Sequence, residues 1–158
     1  MVTEDTINNK SNISTFKLVE ELTSKGLLLK NIIIWVNKFE SINPLITNFY
    51  KNILFFVKSE DYFFDKDPIR EKHIYKELDW GKRAKNYNPK GKDPGNVWLR
   101  TIDDSKGKIT GYQPLSLSEV VNRCILCSTK ERDRVLIMLK KEKIDTYGIK
   151  RQVITKNG

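Results

Sequence analysis

Apolar positions follow two rhythms along this chain of 158 residues. Near the start, Phe16, Val19 and Leu22 recur at helical spacing. Ser14 or Thr15 can cap that helix, and Gly26 supplies a left-handed stop. Ile32–Val36 (IIIWV) is then an unbroken β-branched and aromatic run, the pattern of a buried strand. Residues 37–48 carry Pro44 and predict a loop. Asn52–Val57 (NILFFV) predicts a second buried strand. Helix, strand, loop and strand in this order predict the edge of an α/β sheet spanning residues 14–58, behind a flexible lead-in at 1–13.

From Ser59 to about residue 112 the rhythm is lost. Charges, aromatics, Gly and Pro alternate without a sustained period, and short strands are expected only at Tyr62–Phe64 and Val97–Ile102. A stretch of about 50 residues is far longer than an ordinary connection. It predicts an inserted, loop-rich recognition segment carried on a scaffold. Regularity returns at residues 113–139. Ser116 and Glu119 stand in capping-box spacing. Leu117, Val120, Val121, Cys124 and Ile125 mark an amphipathic helix ending near Ser128. Arg134–Leu139 (RVLIML) predicts another buried strand, and residues 140–158 a basic, weakly structured tail.

Charge changes the picture next. Twenty-nine Lys and Arg face 20 Asp and Glu, a formal net charge of +9. A basic excess of this size favours a polyanionic partner, nucleic acid or an anionic membrane, although solubility alone also uses such charge. No apolar run reaches the roughly 18 residues of a membrane span. The polar, acidic start MVTEDTINNKSN is unlike a secretory leader, and two cysteines make no disulfide framework. A reducing cytoplasm is the expected location.

Candidate chemistry concentrates in the insertion. Asn86–Trp98 (NYNPKGKDPGNVW) combines turn-forming Pro and Gly with Lys90 and Lys92, as a phosphate-gripping loop with free backbone N–H groups would. Lys82, Arg83, Lys85, Lys90, Lys92 and Arg100 form a basic cluster interleaved with Trp80, Tyr87 and Trp98. Cations supply phosphate contacts and aromatics can stack on bases. The plainer reading is a solvated loop over buried aromatics. His73, the single histidine, is either a DNA contact or general base or an ordinary surface residue. Cys124 and Cys127 form a lone CxxC without a second pair, so packing explains them and no metal is expected. No GxGxxG, Walker or GxSxG motif is present.

Four phrases, in order, resemble the later part of site-specific DNA methyltransferases that modify an exocyclic amine. They are Asn31–Val36 (NIIIWV), Asn52–Ser59 (NILFFVKS), Asp67–Arg70 followed by Gly91–Trp98 (GKDPGNVW), and Leu115–Ser128 (LSLSEVVNRCILCS). The resemblance implies a partial Rossmann-like methyltransferase sheet edge with a target-recognition insertion at 59–112. It implies S-adenosylmethionine as methyl donor, with Pro114 near its methionine end. It places Asn48 and Tyr50 near the flipped base, although Lys51 stands where the family has an acidic residue. Two signatures of the family are absent from this sequence. One is the Asp/Ser-Pro-Pro-Tyr tetrapeptide that holds the target amine. The other is the glycine-rich cofactor loop, in whose place Ile137-Met138-Leu139 follows Leu136. The expectation is a fragment or split subunit of a restriction-modification methyltransferase, inactive alone and acting on cytosine N4 or adenine N6. It would bind double-stranded DNA and a complementary methyltransferase subunit through exposed apolar strands. The alternative is a non-catalytic DNA-binding module derived from such an enzyme.

Overall fold

The computed structural model of the chain describes residues 2–3, 6–7, 10–11, 14–37, 50–73, 88–104, 108–139, 146 and 149–157. They form a mixed α/β structure in two units. One comprises Met1–Tyr62 with Pro94–Leu115, the other Phe63–Asp93 with Ser116–Gly158. Residues 59–112 therefore contribute to both.

The first unit is built on the two apolar runs. β1 (Val2–Thr3), β2 (Thr6–Ile7) and β3 (Lys10–Ser11) precede α1 (Ser14–Ser24), β4 (Leu28–Val36) and β5 (Tyr50–Val57). β4 and β5 pair antiparallel from Leu28 opposite Val57 to Val36 opposite Tyr50, with an irregularity between Leu29 and Asn31. β1 adds to the far side of β5. β6 (Val97–Trp98) runs parallel to β4, and the sheet order is β1-β5-β4-β6. The lead-in thus reaches the sheet, and β4 is an interior strand. Alternation turns Ile33 and Trp35 to one face, where both are buried. Ile53, Leu54, Val57, Trp98 and Leu115 are also buried in this unit. Trp35 Nε1 donates to the Leu115 carbonyl at 2.8 Å, which satisfies its only polar group inside the core.

Four expectations need correction here. α1 begins at Ser14, so neither Ser14 nor Thr15 stands ahead of it as a cap, and Thr15 is a buried helical residue. Phe16 is 67% exposed. The inward stripe is Thr15, Leu18, Val19 and Leu22, which keeps the expected Val19 and Leu22 but has Thr15 and Leu18 in place of Phe16. Tyr62–Phe64 is not a strand, and it pairs with no strand among the described residues. Tyr62 is held by its ring, edge-on to Phe55 at 5.8 Å and beneath Lys30. Val97–Ile102 is not continuous. It breaks at Leu99, after which β7 (Arg100–Asp103) pairs antiparallel with β8 (Ile109–Gln113) in a separate hairpin. The stop after α1 is as expected. Gly26 has φ +87°, with Gly26 N–H donating to Thr23 O and Leu27 N–H to Leu22 O, a Schellman closure.

The second unit holds a short 3-10 helix (Asp67–Ile69), α2 (Leu117–Ser128), β9 (Arg134–Leu139) and β10 (Gln152–Asn157). α2 has the expected capping box. Ser116 Oγ accepts from Glu119 N–H, and Glu119 Oε2 accepts from Ser116 N–H. Val120, Ile125 and Cys127 are its buried residues, while Leu117, Val121 and Cys124 are half-buried. β9 pairs with β10 in parallel from Arg134 opposite Gln152 to Leu139 opposite Asn157. The tail therefore carries a strand where its basic composition indicated weak structure. Its Val153-Ile154-Thr155 run supplies the β-branched residues for it. β9 is not buried throughout. Ile137 is buried, but Leu136 and Met138 on the opposite face are exposed.

Candidate nucleic-acid interface

Lys82, Arg83, Lys85 and Asn48, with the aromatics Trp80 and Tyr87, lie outside the described residues. What is described is the chain on either side of residues 74–87. Two strips of the second unit, 65–73 and 88–93, face each other there. Pro68, the second residue of the 3-10 helix, brings a preset φ to its first turn. Asp65 accepts from the Asp67 N–H, and the Asp67 carboxylate then meets two cations. Arg70 Nε reaches Oδ1 at 2.7 Å, and Lys90 Nζ reaches Oδ2 at 2.5 Å. Arg70 Nη1 also donates to the Gly91 carbonyl at 3.2 Å. Glu71 and Lys92 exchange both backbone hydrogen bonds as an isolated antiparallel bridge. From α2, Arg123 Nη2 donates to Glu71 Oε1 at 2.9 Å. Lys66 pairs with Asp93, and His73 Nε2 donates to the Asn88 carbonyl at 2.9 Å. Gly91 is required at the crossing. Its φ is +115°, and a Cβ would lie 2.5 Å from the Glu71 carbonyl oxygen.

This clasp changes the chemistry expected of the loop. The N–H of Lys90 donates to Asn88 Oδ1, that of Gly91 to Asn88 O, and that of Lys92 to Glu71 O. Backbone N–H groups that would have cradled an anion are spent inside the protein. An anion at this loop would meet side chains rather than these backbone groups. Lys90 is exposed, but Asp67 holds it. The hydrogen bond and charge of Asp67 raise its pKa, and those of Lys90 and then Arg70 lower the Asp67 pKa. Lys92 is also exposed. Lys90, Lys92 and His73 are thus brought together in one clasp. Arg100 belongs to the other unit, on β7, where Nη1 donates to Gln113 Oε1 of β8 at 3.2 Å. Tyr50 opens β5 with an exposed ring, and Lys51 beside it lies over the Trp35 ring. Pro114, which follows β8 directly in the chain, is half-buried.

Trp98 is no stacking platform. It is 2% exposed, and its Nε1 donates to Gly95 O at 3.1 Å. Burial pushes the Cys124 thiol up to about 11 and the Cys127 thiol up to about 12, so both stay protonated near neutrality. Cys127 Sγ donates to the Cys124 carbonyl inside α2. Among the described residues no three His, Cys, Asp or Glu side chains gather where a metal could bind. β9 stays paired with β10 through Leu139.

Asp67, Glu71 and Arg123 escaped the sequence reading. Charges alternate through Asp65–Lys72 (DKDPIREK), but the clasp partners lie far along the chain. Local spacing carries no signal for such pairs.

Comparison with known proteins gives the family. The DNA methylase family, of the N6/N4 class, matches residues 3–136. The chain is 29% identical over 130 residues to the type II methyltransferase M.BglII of Bacillus subtilis. That stretch is 78% of this chain and 35% of the relative. The chain therefore spans about a third of the length of the curated relative it matches. No helix among the described residues is long and apolar enough to cross a membrane. The family match runs through both units and ends within β9, and the chain belongs to the DNA methylase family.

Proposed function

We propose that this chain supplies the sheet margin and DNA-reading portion of a site-specific, restriction-modification type DNA methyltransferase. The complete enzyme moves a methyl group from S-adenosylmethionine to the exocyclic amine of a flipped base. Cytosine N4 is slightly favoured over adenine N6, on the wording of Gly91–Trp98. The observation that carries the reading is the family match over residues 3–136. In this reading residues 59–112 are the target-recognition insertion. Lys82, Arg83, Lys85, Lys92 and Arg100 contact phosphates, and Lys90 exchanges Asp67 for a phosphate oxygen. His73 holds the base of the segment through Asn88. Asn48 and Tyr50 lie by the target base.

The chain contributes this part as a fragment or split subunit and transfers no methyl group alone. The absence of the Asp/Ser-Pro-Pro-Tyr tetrapeptide and of a glycine-rich loop supports that division of labour. So does the unbroken pairing of β9. A complementary methyltransferase subunit then provides the catalytic and cofactor groups. The same absences favour the second reading, a DNA-binding module that has left catalysis behind.

Two measurements on the purified chain test the proposal. Binding to duplex DNA is expected to weaken with salt, with a log–log slope of about −0.9 for each phosphate neutralised. A salt-independent constant would remove the DNA contact. With labelled S-adenosylmethionine the chain alone is expected to transfer nothing, whereas full transfer would remove the split-subunit reading.

A further inference from the structure

Outside the clasp, the N-terminal ends of β9 and β10 enclose an open hollow of about 470 Å3 lined by Glu131, Arg132, Lys150, Arg151 and Gln152. Three of the five lining residues are cations and one is an anion. The surrounding stretch adds Lys130, Asp133 and Arg134. The Asp133 carboxylate is already engaged, accepting from the Lys130 N–H at 2.7 Å. Glu131 meets Lys150 only at 3.7 Å, with both side chains well exposed. Such a pair is weak and yields readily to a stronger ligand.

Two features are costly or specific in a way that mere solvation does not need. Arg132 has φ +70° in the turn Lys130–Asp133, which the Asp133 N–H closes on Lys130 O. A positive φ at this turn position ordinarily calls for Gly or Asn. The strained backbone is braced by the Arg132 N–H donating to Lys150 O at 2.8 Å. Arg151 is also fixed in place. Its Nε donates to Thr129 Oγ1 at 3.1 Å and its Nη2 to Thr129 O at 2.8 Å. A guanidinium held along one edge by neutral oxygens keeps its full charge and needs little further ordering to bind an anion. Strained, over-determined residues of this kind gather at ligand clamps.

We propose that this hollow is a phosphate-binding site, with Arg132, Arg151 and Lys150 as its cationic wall. The ligand chemistry is a phosphate group, carried either by a nucleic-acid backbone or by a small phosphorylated molecule. Glu131 serves as the displaceable counter-ion of Lys150. The inference rests on this hollow alone and not on the DNA-reading role of residues 59–112.

The test uses the full chain with two probes, inorganic phosphate and a duplex oligonucleotide of arbitrary sequence. Inorganic phosphate is expected to bind and to shift the Arg132 and Arg151 Nε–H resonances. Arg132→Gly removes the cation and relieves the turn. It is expected to weaken phosphate binding about tenfold, the scale of one charge-assisted hydrogen bond. Its melting temperature is expected to hold or rise. Lys150→Gln, which leaves the turn backbone alone, is expected to weaken phosphate binding in the same direction. If Arg132→Gly also flattens the duplex salt slope by about 0.9, the phosphate is that of a nucleic-acid backbone. If the slope is unchanged while inorganic phosphate binding falls, the ligand is a small phosphorylated molecule. Absence of phosphate binding by the unaltered chain overturns the proposal, as does an Arg132→Gly variant that loses stability but keeps phosphate affinity. Failure of duplex binding alone bears on the DNA reading and leaves this site standing on its phosphate titration.

Discussion

At Gly91 a positive φ and a close backbone crossing coincide, and single residues of this kind decide how the basic segment is held. Gly26 also has a positive φ, but a Cβ there would meet nothing within 4 Å. Gly26→Ala is therefore expected to cost about 1–2 kcal/mol for the left-handed backbone alone. Gly91→Ala should cost distinctly more, since it also drives a Cβ against the Glu71 carbonyl. Urea unfolding of the two variants side by side checks the difference. Asp67 makes a second prediction. Its folded pKa is depressed, first by the Lys90 hydrogen bond and then by Arg70. A depressed carboxylate adds stability that is present above its unfolded pKa, about 3.9, and lost as pH falls through the folded value. Asp67→Asn should thus be less stable than the parent near neutrality, and the gap should close below about pH 4. A gap that persists unchanged into acid would show that Asp67 does not act through its charge.

Strand β9 shows how one element serves two environments. Ile137 is buried, while its neighbour Met138 is 74% exposed on the other face. Parallel strands are ordinarily covered on both faces, yet here Leu136, Met138 and Ile154 remain open. Ile137→Ala should cost roughly 2–5 kcal/mol, the range for emptying a buried aliphatic site. Met138→Lys should stay within about 0.5 kcal/mol, as exposed substitutions do. Chemical denaturation with circular dichroism separates the two. Equal losses would mean that both faces of the strand are covered in solution. The helices were more readable than this pair. For α2, Ser116 and Glu119 announce a local motif that needs no distant partner. For α1, Val19 and Leu22 are legible, but Phe16 outweighs Thr15 on any hydrophobicity scale and so stands in its place. Packing turned the smaller Thr15 inward and left the ring in solvent.

At the scale of the molecule, the first unit depends on two indoles. Trp35 and Trp98 pair opposite each other across β4 and β6, and both are buried. Trp98→Ala should cost about 3–5 kcal/mol, a large part of the margin of a small unit. The check is loss of slow hydrogen exchange across Leu28–Val36. A Trp98→Ala chain with unaltered stability but lost DNA binding would return Trp98 to the stacking role that its neighbours in sequence suggest. The charge of +9 belongs to this scale as well. It would attract a polyanion without naming any one contact, because each contact depends on which cations the fold leaves uncommitted.

The amino-acid sequence alone determined the strands at Ile32–Val36 and Asn52–Val57, the α2 cap, the Gly26 stop and the family. Each is written in neighbouring residues or in an ordered set of short phrases. Only the tertiary structure decided that β6 lies beside β4, and that the tail pairs with β9. It also decided that Trp98 is core, and that the N–H groups of Lys90 to Lys92 are spent on Asn88 and Glu71. Those outcomes depend on which distant groups meet. A hydrogen-bond donor or a cation is available to a ligand only when no partner within the fold has claimed it.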